Sequence, residues 1–320
     1  MSKKELSFPE FVLHDLTTES RNVIFSKFLK GITEYKLLSP HDKIAVCISG
    51  GKDSMVMALC FKALARHSEI PFEVKYLVMD PGYDEPNRKR IEENCEKLEI
   101  PAYFYKTDIF AVNDQVEGNP CYLCAKMRRG ALYRIAKSLG CNKIALGHHY
   151  DDAITTTLMN ILSAGSFQTM VPKLPSDHYE GMELIRPLYF VRENDIIEFS
   201  KKHGLEFIAC ACRLTASLSK EEKEKISSRR ALTKELIKKL MEVYSPAVEA
   251  NLFIAPTNVN LAMVMGYKDE SGKHSFLDDY EEKKKALSKY IRENGIEEAS
   301  VKKAEDEHRE WEIVKPKDFD

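Results

Sequence analysis

Residues 43–54 read KIAVCISGGKDS, and this stretch decides the fold. A strand-like run, Ile44 to Ile48, enters Ser49-Gly50-Gly51-Lys52-Asp53-Ser54, and the chain leaves as the helix-forming MVMALCFKALARH. Such a strand–turn–helix unit aims backbone N–H groups and the positive end of a helix at the carboxyl edge of a sheet, where a phosphate is favoured. Lys52 adds a point charge, and Ser49 and Ser54 add hydroxyls that can donate to phosphate oxygens. A Walker A loop, G-x-x-x-x-G-K-[ST], fails on spacing, since Val46 stands where its first Gly belongs and Asp53 where its last hydroxyl belongs.

Outward from this loop, strand and helix signals alternate. Strands are predicted at 43–48, 72–80, 102–107 and 143–147. Helices are predicted at 52–66, 86–99, 124–139 and 150–164, with Pro86, Gly140 and Gly165 as boundary residues. This βαβα order implies a parallel sheet with helices on both faces. Ligands in such sheets bind beyond the carboxyl ends of the strands, so the loops 49–54, 80–86 and 147–152 should converge. Residues 1–42 read as a helical lead-in, with Val23, Ile24, Phe25, Phe28, Leu29 and Ile32 at near-helical spacing. Past residue 190 the pattern is mostly helical, at 193–203, about 219–243, 246–254 and around 279–294. The expected organisation is the lead-in 1–42, an α/β domain over 43–215, a helical and locally basic region over 216–268, and a charged tail over 269–320.

The chain has 320 residues, 43% of them hydrophobic, enough for a substantial core. No apolar run approaches the roughly 20 residues needed to span a bilayer. MSKKELSFPEF carries no apolar signal region. The expectation is a cytoplasmic protein with no membrane association. Eight cysteines in that setting point to thiols, metal ligands or buried apolar residues rather than a disulfide framework. The net charge of −2 is neutral on nucleic acid, but its distribution is uneven. Residues 201–240 hold eleven Lys/Arg against five Asp/Glu, and 269–320 hold eleven against sixteen. A basic helical stretch beside an acidic tail is compatible with RNA binding and equally with a solvated helix surface.

Four cysteines form a pattern. Cys121-Tyr-Leu-Cys124 follows Asn119-Pro120 and precedes a predicted helix, and Cys210-Ala-Cys212 follows a predicted strand almost ninety residues later. A thioredoxin-type pair would want its CxxC on the first βα turn. A zinc site would use all four thiolates, with an unusual one-residue gap in CAC. An iron–sulfur cluster held by three cysteines fits a 2+1 arrangement and leaves one iron open. Cys47, Cys60, Cys95 and Cys141 sit in strand or helix patterns and read as core residues.

SGGKDS is the signature of the PP-loop ATP pyrophosphatases, which this segment resembles. Together with CxxC, Arg128-Arg129-Gly130-Ala131-Leu132-Tyr133, Gly147-His148-His149-Tyr150-Asp151-Asp152, Pro172-Lys173-Leu174 and Arg186-Pro187-Leu188, it makes residues 20–265 similar to the TtcA group of tRNA thiolases. The resemblance implies the PP-loop/HUP-like (adenine nucleotide alpha hydrolase) fold, ATP split at the α–β bond, Mg²⁺, a [4Fe-4S] cluster and tRNA as substrate. It implies thiolation at C2 of a pyrimidine, most often cytidine, with sulfur from a cysteine desulfurase or free sulfide. Relatives are often homodimers. The implied cluster ligands are Cys121, Cys124 and either Cys210 or Cys212. The implied nucleotide site is Ser49–Ser54 with Met79, Gly147 and His148. Asp53 and one of Asp151 or Asp152 are candidates for Mg²⁺, the other Asp aligning the reacting groups. Arg128 falls near the reacting base, with Lys126 and Arg129 toward tRNA phosphates. The 2-thiouridine thiolases of the TtuA type share the PP-loop and three cysteines but carry N-terminal zinc-finger cysteines, and residues 1–46 contain none. A PP-loop enzyme activating a small molecule, with zinc on the cysteines, is the other alternative.

Overall fold

The strand at the head of the loop, β1 (Lys43–Ile48), is buried at every residue after Lys43. Its side chains alternate between two cores. Ile44, Val46 and Ile48 join one apolar cluster, while Ala45 and Cys47 join another with Tyr133 and Ala136. This is the period-two pattern of a strand covered on both faces, and it explains the near-continuous apolar sequence. The computed structural model describes residues 6–109, 120–208 and 220–293, with backbone only for 120–125 and 220–228. The chain forms two compact units, Met1–Thr257 and Asn258–Asp320.

In the first unit, α1 (Phe8–Thr17), a short π-helical segment (Arg21–Phe25) and α2 (Ser26–Glu34) form the lead-in. Ile24, Phe25, Phe28 and Ile32 are buried, whereas Val23 faces outward. Then come β1, α3 (Lys52–His67), β2 (Glu73–Asp80), α4 (Glu85–Lys97), β3 (Ala102–Lys106), α5 (Pro120–Ser138), β4 (Lys143–Ala145) and α6 (Tyr150–Ala164). They are followed by β5 (Lys173–Pro175), β6 (Glu183–Ile185), α7 (Glu193–Lys202), α8 (Lys220–Val243) and α9 (Val248–Ile254). The sheet order is β3-β2-β1-β4-β6-β5. From β1 the chain builds outward to β2 and β3, then returns to the other side of β1 for β4. The strand order therefore reverses between β1 and β4, which opens a crevice at their carboxyl ends.

Three expectations are corrected. The sheet is parallel except at its edge, where β5 runs antiparallel to β6. Those two strands have three residues each, too few for a periodic signal. Second, the helix expected from 124 begins at Pro120, so the CxxC lies inside its first turn rather than before it. Proline suits that start because its fixed φ is helical and its missing N–H would be unpaired there anyway. Third, residues 205–208 form no strand.

In the second unit, β7 (Gly266–Asp269) pairs antiparallel with β8 (Gly272–Ser275), and α10 (Tyr280–Glu293) follows. The helix was expected; the hairpin was not, because its strands are mostly polar and largely exposed. No helix among the described residues is long and apolar enough to cross a membrane.

Candidate active site

The loop after β1 is shaped by its own glycine and serine. Gly50 has φ +84°, and a Cβ there would lie 2.6 Å from Ile208 Cδ1 and 2.7 Å from Ile91 Cδ1. Only glycine fits that backbone region and that space. Ser54 Oγ accepts from Ser49 N at 3.1 Å and donates to Gly51 O at 2.9 Å. Ser54 therefore closes the loop on itself, and its hydroxyl proton is spent inside the protein rather than on a ligand. Ser49 Oγ bonds Ser54 Oγ at 3.2 Å, and Tyr83 Oη donates to Ser49 O at 3.3 Å.

The loop after β4 lies directly against it. A Cβ on Gly147 would stand 2.9 Å from Ser54 N and 3.0 Å from Asp53 C, both backbone atoms that cannot turn aside. Between these loops lies a cavity of about 370 Å³ lined by Ser49, Asp53, Ser54, Met79, Arg128, Arg129, Gly147, His148 and Asp152, among others. The expected convergence occurs in part: loops 49–54 and 147–152 meet here with Met79 of β2, while no residue of loop 80–86 lines the cavity and that loop touches the PP-loop through Tyr83. α5 adds Arg128 and Arg129 on the other wall. Gly50, Gly51 and Lys52 complete the loop beside it.

The two adjacent aspartates separate. Asp152 lines the cavity, accepts the His149 N–H at 3.1 Å and pairs with Arg230. Asp151 turns away: its Oδ2 accepts the Glu193 N–H at 2.7 Å and its Oδ1 accepts Arg192 at 3.0 Å. Asp151 thereby caps the first turn of α7. His149 is buried amid three carboxylates, 3.8 Å from Asp53, 3.7 Å from Asp151 and 3.5 Å from Asp152. Lys52 Nζ lies 3.2 Å from Asp53 and 3.0 Å from Glu193.

The electrostatics differ between the carboxylates. Desolvation raises the Asp53 pKa; His149 and Lys52 offset part of that rise, and the like charge of Asp152 adds to it. Burial would raise Asp152 too, but His149, Arg230 and His148 outweigh it and its pKa is lowered. Burial, helped by Arg186, lowers His148 to about 4, so its ring is neutral at pH 7. Burial and the neighbouring Arg129 lower Arg186 to about 10, which leaves it charged. Asp53 Oδ1, His148 Nδ1, His149 Nδ1 and Arg186 Nε are buried without a hydrogen-bond partner. Buried polar atoms are seldom left so, and two of these residues, Asp53 and His148, line the cavity, as a place built for a polar ligand would have it.

A second cavity of about 600 Å³ is lined by Lys126, Arg129 and Gly130 together with Tyr133 and residues 174–179. Arg129 lines both cavities. Of the expected cluster ligands, Cys121 and Cys124 lie three apart in the first turn of α5, on one side of the helix. Cys210 and Cys212 lie outside the described residues. Ile208, the last described residue before them, donates its N–H to Gly50 O at 3.3 Å. Among the described residues, no group of three or more His, Cys, Asp or Glu is arranged to hold a metal ion. Sequence reading missed Arg186, Glu193, Arg230 and Lys234 as site residues. Arg186 stands in the stretch RPL, but the other three reach the site only through long-range packing.

Comparison with known proteins agrees with this geometry. A PP-loop domain (ATP_bind_3) matches residues 21–218. A tRNA-cytidine(32) 2-sulfurtransferase from Geotalea uraniireducens is 34% identical over 72% of this chain and 88% of its own length. One of the same name from Neisseria meningitidis is 38% identical over 56% of this chain and 57% of its own. Among solved structures, the U34-tRNA thiolase NcsA from Methanococcus maripaludis, solved with its [4Fe-4S] cluster, superposes with a TM-score of 0.58. It is 20% identical, over 77% of this chain and 78% of its own, a likeness of fold. The chain belongs to the PP-loop family, and within it to the TtcA-like tRNA sulfurtransferases.

Proposed function

We propose that this protein is an ATP-dependent tRNA sulfurtransferase that replaces the C2 oxygen of a tRNA cytidine with sulfur. One observation carries the reading: α5 holds the cysteine pair in its first turn and, from Arg128 onward, walls the cavity that the PP-loop forms. At 1.5 Å per residue, Cys124 and Arg128 are about 6 Å apart along the helix axis. Activation and replacement of one oxygen atom need such neighbouring chemistries.

In this reading the C2 oxygen attacks the α-phosphorus of ATP, an O–P bond forms, and the α–β bond breaks to release pyrophosphate. Sulfide then adds to C2, the C–O bond breaks, and AMP departs. The loop's backbone N–H groups and the N-terminus of α3 hold phosphate oxygens. Arg128 and Arg129 offset negative charge as the oxygen is adenylated. His148, neutral at pH 7, serves as a hydrogen-bonding wall rather than a cation. The tRNA strand approaches past Lys126 along the second cavity.

Oxygen donors suit magnesium, and the raised, partly unpartnered Asp53 with the ionised Asp152 fits that ion, which would neutralise phosphate charge. Thiolates suit a [4Fe-4S] cluster; Cys121, Cys124 and Cys210 or Cys212 would hold it, and it would carry the incoming sulfide for transfer. Pyrophosphate release tests the reading. It should require ATP and tRNA, continue beyond a single turnover only with sulfide present, and fall at least tenfold in Lys52→Ala. Release that is indifferent to tRNA would overturn it.

A further inference from the structure

The carboxylates of the site do not draw all their cations from the PP-loop. α8, from the C-terminal helical region, pairs two cations with them. Arg230 pairs with Asp152, and Lys234 pairs with Glu193, whose other oxygen holds Lys52 at 3.0 Å. Arg230 and Lys234 are four residues apart, on one face of the helix. One turn further along that face Ile237 is buried against Ile154 and Leu158 of α6, so the helix that presents the two cations is seated on the element that begins with Asp151 and Asp152.

The loop's own groups are largely committed. Ser54 is spent on Gly51 and Ser49, and Lys52 is shared between Asp53 and Glu193. A departing pyrophosphate carries more charge than one shared lysine and a helix end neutralise well. Arg230 and Lys234 are the nearby cations whose partners, Asp152 and Glu193, belong to this same site. Their side chains are 43% and 34% exposed, so turning toward a phosphate costs little burial.

Resting on the nucleotide reading above, we propose that Arg230 and Lys234 form a second anion subsite that grips the pyrophosphate end of the nucleotide from α8. A divalent cation held by Asp152 would leave Arg230 free for the phosphates. A guanidinium there offers paired donors that suit phosphate oxygens, and the ammonium adds a point charge.

Calorimetric titration of the full chain with magnesium pyrophosphate and, separately, with AMP tests this. Arg230→Ala and Lys234→Ala should each weaken pyrophosphate binding about tenfold, the effect of one charge-assisted contact. AMP binding should stay within about twofold, and Arg230→Lys should recover part of the loss. A purely structural pairing with Asp152 would move both ligands together or neither. Wild-type protein that binds neither pyrophosphate nor ATP would defeat the nucleotide reading itself. Wild-type binding matched by both alanine variants would defeat only the subsite. Lys234→Ala, at a partly exposed position, carries the test if Arg230→Ala does not fold.

Discussion

At the scale of single residues, two neighbouring aspartates and one glycine divide the work. Gly147 has no room for a methyl group because the backbone of Asp53 and Ser54 is 2.9–3.0 Å from where its Cβ would lie. Gly147→Ala should part the two loops, weakening ATP binding by an order of magnitude or more in calorimetry while the protein still melts cooperatively. Asp151 and Asp152 look interchangeable in the sequence, and only packing separates them. Asp151→Asn should act on stability, costing about 1–3 kcal/mol in denaturant unfolding, because it weakens the charged bond to Arg192 and the cap on α7. Asp152→Asn should also cost stability, because it weakens the bond to Arg230 and the cap on α6, but it alone should lower turnover by about 100-fold, the scale of one electrostatic contact in a catalytic site. Equal effects on turnover would contradict the division.

At the scale of elements, a buried ionic joint ties the lead-in to the site. Asp15 on α1 accepts hydrogen bonds from Ser20, Lys202 and His203, the last at 2.9 Å, and His203 packs between Phe11 and Phe199. Burial alone would raise the Asp15 carboxyl, but the bonds from Lys202, His203 and Ser20 outweigh it and hold it at about 2, below its usual 3.8. A depressed folded-state pKa stabilises the fold above about pH 3.8, and that stabilisation is lost as pH falls toward 2. Asp15→Asn should therefore lose stability at pH 6 and show a smaller further loss between pH 4 and pH 2 than wild type, read from urea midpoints. An unchanged slope would remove Asp15 from the account. The joint fixes the end of α7, whose beginning carries Glu193 beside Lys52, so the lead-in supports the site without touching it.

At the scale of the whole molecule, what was legible in the sequence follows from how local each signal is. The run Ile44–Ile48, the Gly-Gly turn and the helix boundaries at Pro86, Gly140 and Gly165 are local, and the α/β order they imply is the order observed. β5 and β6 were hidden by being three residues long, and the hairpin at 266–275 by its polar, exposed strands. The contacts of Glu193 with Lys52 and of Arg230 with Asp152 span 141 and 78 residues, beyond the reach of any pattern read along the chain. The account's central claim is that one helix joins an ATP-activating cavity to a sulfur-delivering cysteine pair. Nucleoside mass spectrometry of tRNA after anaerobic incubation with the iron–sulfur-reconstituted protein, MgATP and sulfide tests it most directly. The account predicts 2-thiocytidine that requires ATP and disappears in Cys121→Ala. Absence of any thionucleoside with wild-type protein, or its undiminished formation by Cys121→Ala, would contradict it.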